Sequence, residues 1–240
     1  MFRLATDCLL LDLGHRDYLD VWVLQRQLVD LRADGKIPDA FILVEHPSVL
    51  TVGRRGNAAN ILSRELPVYE IERGGDVTYH GPGQLVGYPI ISLEDRGQDV
   101  HRYLRDLEEV LMRAVKEFGI SPTRREGHAG VWTGDKKLAS IGVAVKRWIT
   151  YHGFALNVTT DLKYFQLIRP CGLESSLITS MQELLGKRVD LEVVKEKVKK
   201  HFCDVFGKIL TAVEDSWEPV QEAWKTSQEY ARQITGPKAT

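Results

Sequence analysis

Between Gly130 and Val158 three strand-like runs follow one another with almost nothing between them. Gly130–Thr133, Lys137–Val145 and Trp148–Val158 are separated by a Gly134-Asp135 turn and a two-residue gap. Turns this tight fold a chain back on itself, so these runs predict consecutive hairpins of one antiparallel sheet. Helical spacing appears elsewhere. From about Asp17, Val21, Leu24, Leu28 and Leu31 fall on one face until Gly35 ends the helix. Val100, Leu104, Leu107, Leu111, Ala114 and Phe118 mark a second helix over about Asp99–Phe118, stopped by Gly119, and a third spans Leu191–Phe206. Cys8–Leu13, Ala40–Val44, Ser48–Val52 and Val68–Ile71 read as further strands of the sheet, the middle two flanking a Glu45-His46-Pro47 turn. No repeat or linker interrupts the pattern. The expectation is one α+β domain, a mixed and mostly antiparallel sheet packed by helices, over residues 1–214, with residues 215–240 as a helical tail.

With 240 residues, 43% hydrophobic and 27% charged, the chain has the usage of a folded globule. A chain of this size buries roughly 70–75% of its unfolded surface, enough for a core without disulfides or structural metal. The formal charge of −1 removes the basic footprint of a nucleic-acid binder. Cys8, Cys171 and Cys203 are odd in number and far apart, which reads as a reducing, cytoplasmic setting. No apolar run approaches the roughly 18 residues of a membrane span. Asp7, Asp12 and Asp17 break up the Leu9-Leu10-Leu11 patch, so no secretory or transit peptide is read there.

Two residues stand out chemically. Cys171 lies between Pro170 and Gly172, with Arg169 nearby, where positive charge and backbone donors favour thiolate. It is either a nucleophile or a small buried thiol in a turn, whereas Cys8 and Cys203 sit in apolar periodic segments and read as core. Strict alternation puts Lys137 on the face of Ala139, Ile141, Val143 and Val145, and Lys136 on the other with Leu138 and Ser140. Lys137 is then either a desolvated proton carrier or a side chain reaching outward past the turn. His80 and His152, each followed by glycine, either position a carbonyl or serve as structural hydrogen-bonding groups. From Gly74 to Gly87 five glycines favour tight turns and close approach to a ligand. No metal-ligand spacing or phosphate loop accompanies them.

Taken together, three blocks resemble the lipoyl(octanoyl) transferase family. Arg73-Gly74-Gly75-Asp76-Val77-Thr78-Tyr79-His80-Gly81-Pro82-Gly83-Gln84 through Pro89 is similar to its signature. Gly130-Val131-Trp132, Lys137 to Gly142 and His152 to Asn157 resemble its lysine strand and the next one, and Pro170-Cys171-Gly172 with Thr179-Ser180-Met181 its cysteine segment. The resemblance covers about Glu45–Met181, departing only at positions such as Ser48 and Ile178. It implies a fold like that of biotin and lipoate protein ligases, and transfer of an octanoyl group from octanoyl-acyl carrier protein to a lysine of lipoyl domains in E2 subunits or the glycine-cleavage H protein. It also implies no ATP, no metal and no other cofactor, and the expected state is a monomer. By the same resemblance Cys171 is the acyl-thioester nucleophile and Lys137 its acid/base partner. The acyl site is lined by Arg73, Gly74, Gly75, Asp76, Val77, Thr78, Tyr79, His80, Ser140, Ile141, Gly142, Gly153, Phe154 and Ala155. The competing readings are an ATP-dependent lipoate ligase and a non-catalytic module that binds lipoyl or acyl-carrier domains.

Overall fold

The structure is a computed structural model that describes residues 7–169, 174–213 and 217–235. In chain order its elements are β1 (Asp7–His15), α1 (Tyr18–Ala33), β2 (Asp39–Glu45), β3 (Val49–Val52), β4 (Val68–Glu70), β5 (Val77–His80), β6 (Gln84–Ile90) and α2 (Val100–Lys116). There follow β7 (Thr123–Arg125), β8 (His128–Thr133), β9 (Lys136–Lys146), β10 (Ile149–Asn157), α3 (Met181–Leu185), α4 (Leu191–Phe206), β11 (Ile209–Ala212) and α5 (Glu218–Thr235). Eight strands form one sheet in the order β11-β1-β2-β6-β10-β9-β8-β7, and β4-β3-β5 form a second, smaller one.

Helices cover both faces of the large sheet, so its central strands are apolar on both sides. Along β2, Phe41 and Leu43 point into a core shared with Leu107, Leu111, Val198 and Phe202 of α2 and α4. Ala40, Ile42 and Val44 point the other way, to Val21, Leu24 and Leu28 of α1. Leu24 and Leu28 are fully buried, and each such side chain contributes about 2 kcal/mol through lost contact with water. Asp99 caps α2 by accepting the Arg102 N–H at 2.9 Å, and Asp190 caps α4 from Glu192 at 2.9 Å. The hairpins β8-β9-β10 are antiparallel, whereas β1 runs parallel to β2 and β11, giving the mixed sheet.

Several details depart from the sequence expectation. Strands β3 and β4 do not continue the main sheet: they pair in parallel with each other, and β5 joins antiparallel to β3. The glycine-rich block holds two strands, β5 and β6, with the turn between them. Helix α1 is buried on two sides, because Leu19 and Val23 pack with Ala231 of α5 while Leu24 and Leu28 face the sheet. Among the described residues no helix is long and apolar enough to cross a membrane.

Candidate active site

A cleft opens where the small sheet meets β9 and β10. The loop before β5 forms one wall, and it docks on β9 by a Gly74 N–H bond to the Val143 carbonyl at 2.9 Å. Such contact needs a bare backbone on β9: a Cβ on Gly142 would lie 2.9 Å from the Gly74 oxygen and 3.2 Å from Arg73 Cδ. Arg73 is buried, and its guanidinium donates to the Thr51 carbonyl at 2.8 Å, to Thr51 Oγ1 at 3.0 Å and to the Gly74 carbonyl at 3.1 Å.

Lys137 lines this cleft and is 5% exposed, but not by simple alternation. Val131 pairs with Ala139 and Trp132 with Lys137, which leaves Leu138 as the extra residue of a β-bulge. The bulge reverses the parity of everything before it. Leu138 and Ala139 both enter the core beneath α2, and Lys137 joins Ser140 and Gly142 on the cleft side, with its ammonium 5.5 Å from the centre of the Trp132 ring. The expectation that Lys137 shares a face with Ala139, Ile141, Val143 and Val145 is therefore corrected.

Neutral histidines lie in the floor of the cleft, His80 and His152, and behind it, His46. His46 Nδ1 lies 2.7 Å from the Arg16 carbonyl, which can only accept, so Nδ1 carries the proton and Nε2 accepts from the Tyr88 hydroxyl at 2.9 Å. Gln84 Nε2 donates to the Tyr79 carbonyl and to Asn157 Oδ1, so its Oε1 accepts from His80 Nδ1 at 2.8 Å, and His80 Nε2 is left as an acceptor. Burial pushes His46 down to about 4, and burial together with His46 pushes His80 down to about 3. His152 has a left-handed φ of 55°, and its N–H is held at 2.8 Å by Gln25 of α1. Burial lowers its pKa as well, although Glu72 Oε2 sits 3.6 Å away. His152, and then Trp22 whose Nε1 donates at 2.9 Å, hold Glu72 down to about 2. The lowered value on both partners means a neutral imidazole beside a carboxylate, not an ion pair.

One hydrogen-bonded chain ties together the three sequence blocks. From His80 it runs through Gln84 to Asn157, whose Nδ2 donates to the Thr179 carbonyl at 3.0 Å, and the Thr179 N–H donates to the Lys137 carbonyl at 3.0 Å. Ile178 bridges to Lys137 beside it. Cys171 itself lies outside the described residues; upstream of it, the Arg169 N–H is anchored to the Asn60 carbonyl at 2.8 Å.

Of the residues expected at the acyl site, Arg73, Gly74, Gly75, Thr78 and His80 line the cleft from one side. Ser140, Ile141, Gly142, Gly153, Phe154 and Ala155 line it from the other. Asp76, Val77 and Tyr79 do not. Strand alternation along β5 turns Val77 and Tyr79 into the core of the small sheet, and Asp76 accepts the Asn57 N–H at 3.0 Å and Asn60 Nδ2 at 2.5 Å, bracing a neighbouring loop. Tyr18 and Tyr88 line the cleft without having been expected there, and His152, which the sequence left between positioning a carbonyl and a structural role, lines it too. Period-two counting from His80 would have separated the β5 residues, but Tyr18 enters from a distant helix with no local signal.

This is the architecture of a lipoyl and biotin ligase-like catalytic domain, with a buried lysine turned into its cleft. Residues 17–203 match the lipoyl protein ligase A/B catalytic domain model, and the chain belongs to that family. It is 50% identical over 191 residues to an octanoyltransferase of Syntrophotalea carbinolica, a match covering 80% of this chain and 90% of the relative. Its fold is similar to the crystal structure of lipoate-protein ligase A bound with ATP, with a TM-score of 0.73 at 14% identity over 92% of this chain and 94% of that one. A biotin protein ligase from Aquifex aeolicus shares the fold at TM-score 0.50 and 12% identity, over 94% of this chain and 76% of that one.

Proposed function

We infer that the chain is an octanoyltransferase of protein lipoylation, working through a thioester on Cys171 with Lys137 as acid and base. The observation that carries the reading is a buried lysine in a cleft of glycines, neutral rings and one guanidinium, in a chain half-identical to an octanoyltransferase. The Cys171 thiolate attacks the thioester carbonyl of octanoyl-acyl carrier protein. The carrier's thiolate departs and takes a proton from the Lys137 ammonium. The neutral amine of the acceptor lysine, on a lipoyl domain of an E2 subunit or H protein, then attacks the acyl-enzyme. Lys137, now a free amine, removes the proton from the attacking nitrogen as the Cys171 thiolate leaves, which restores the starting state. Exchange of one thioester for another is nearly balanced, and amide formation drives the second step, so no nucleotide is consumed. Residues 1–214 supply this chemistry, and α5 supports it by packing on α1.

Mass spectrometry after mixing with octanoyl-acyl carrier protein is expected to show one octanoyl group on the chain, absent in Cys171→Ala. An adduct that persists in that variant, or transfer that depends on ATP with release of pyrophosphate, overturns the reading.

A further inference from the structure

The bulge that turns Lys137 into the cleft has its own support. Beside it on β8, opposite Ser140, Gly130 has a φ of 140°, a backbone conformation closed to most side chains. A Cβ at this position would stand 2.3 Å from the Ala139 carbonyl oxygen and 2.9 Å from Lys137 Cε. The first clash is with the backbone of the bulged strand and the second with the stem of the lysine, so Gly130 is the surface over which that stem passes. The Gly130 N–H is bonded at 3.1 Å to Oε1 of Glu108, a carboxylate of α2 that is 1% exposed. The other oxygen of Glu108 accepts from Arg105 at 2.7 Å and from Arg124 at 3.0 Å. A buried carboxylate with charged donors on one oxygen has a fixed orientation, and its second oxygen then fixes what it holds.

We propose that Glu108 and Gly130 are positioning residues for Lys137: the carboxylate pins the Gly130 N–H, and the bare, left-handed glycine lets the bulged strand and the lysine stem close over it. This rests on the acid/base reading of Lys137 and extends it to two residues that touch neither substrate nor the reacting atoms.

The test is a double-mutant cycle on octanoyl transfer from octanoyl-acyl carrier protein to a lipoyl domain. Gly130→Ala is expected to lower kcat by about 100-fold with little change in KM, the scale of a displaced catalytic group. It should also shift the limb of the pH–rate profile that Lys137→Ala abolishes. Combined with Lys137→Ala it should be no slower than Lys137→Ala alone, because a residue acting only through the lysine has nothing left to disturb. A further multiplicative drop in the double variant, or a Gly130→Ala enzyme with normal kcat, overturns the proposal. Normal turnover by Lys137→Ala overturns instead the reading on which it rests. Should Gly130→Ala fail to fold, Glu108 decides the matter. Glu108→Ala leaves Arg105 and Arg124 with side chains 57% and 36% exposed and able to reach water. It should lower kcat about tenfold, and Glu108→Gln, whose amide oxygen still accepts from Gly130, should recover most of that loss. Equal activity in the two Glu108 variants counts against the clamp.

Discussion

Two of the places where the molecule buries ionisable groups are built in opposite ways. At the edge of β2, Asp39 is matched by ion pairs and a hydrogen bond: it accepts from Arg32 Nε at 2.7 Å and from the Ser92 N–H at 3.1 Å, and pairs with Lys208 at 2.5 Å. In the cleft His80, and beneath it His46 behind Tyr88, are kept neutral by burial and by partners that fix their tautomers. Matched ions hold elements together but bind water tightly wherever a gap opens. Neutral rings leave a surface that a hydrocarbon chain can cover without stripping those rings of the solvent an ion would hold. The two clusters are thus built for fastening and for reception, and substitutions should separate the roles.

The largest effect is expected at the fastening site. Asp39→Ala takes the carboxylate away from Arg32 and Lys208, whose side chains are only 15% and 7% exposed, and strands the Ser92 N–H. Breaking a buried pair in this way costs about 3–5 kcal/mol. Urea unfolding should show that loss, while kcat per folded molecule stays near the wild-type value. A loss under about 1 kcal/mol, or a fall in kcat that exceeds the unfolded fraction, would show that the two clusters are not separate.

How far each region was legible differs for the same physical reason. Helices α2 and α4 were readable because their patterns are local, with Asp99 and Asp190 as caps and apolar residues at helical spacing. The hairpins β8-β9-β10 were readable from short turns. Partner choice was not: nothing within Val49–Val52 says that it pairs with Val68–Glu70 in a second sheet, and β11 is a short strand whose parallel pairing with β1 depends on residues 200 positions away. The burial of Lys137 was legible, but its route was not, since a bulge is defined by the opposing strand. Asp76, Val77 and Tyr79 were placed at the acyl site by block resemblance, which does not distinguish the two faces of a strand.

A smaller effect is expected from acid. The native pKa values of His46 and His80, about 4 and about 3, lie below the ordinary imidazole value near 6.5, so the unfolded chain binds more protons throughout that interval. Their contribution to stability is complete above pH 6.5 and is lost progressively as pH falls toward 4, by about 1.4 kcal/mol per pH unit for each proton taken up. Glu72, held down to about 2, begins to count only as pH falls through the ordinary carboxylate value near 4.5, so the window from 6.5 to about 4.5 belongs to the histidines. Unfolding free energies measured at pH 7, 6 and 5 should fall with this slope, and His80→Gln should remove about one proton from it. A flat profile between pH 6.5 and 5 would mean that the floor is charged, and the contrast with the Asp39 cluster would vanish.

The smallest effect tests the tautomer itself. Tyr88→Phe keeps the ring that lines the cleft and deletes the hydroxyl that donates to His46 Nε2 at 2.9 Å. The imidazole cannot compensate by moving its proton, because Nδ1 is committed to the Arg16 carbonyl at 2.7 Å. A buried acceptor is left unmatched, for about 1 kcal/mol of stability measured by urea unfolding at pH 7.5. If Nε2 instead carried the proton and donated to Tyr88, the Arg16 carbonyl would already face a bare nitrogen lone pair in the wild type. The imidazole could then turn or re-protonate at no net loss, and the substitution would be neutral. The sign and size of that one difference therefore report which nitrogen is protonated beneath the cleft.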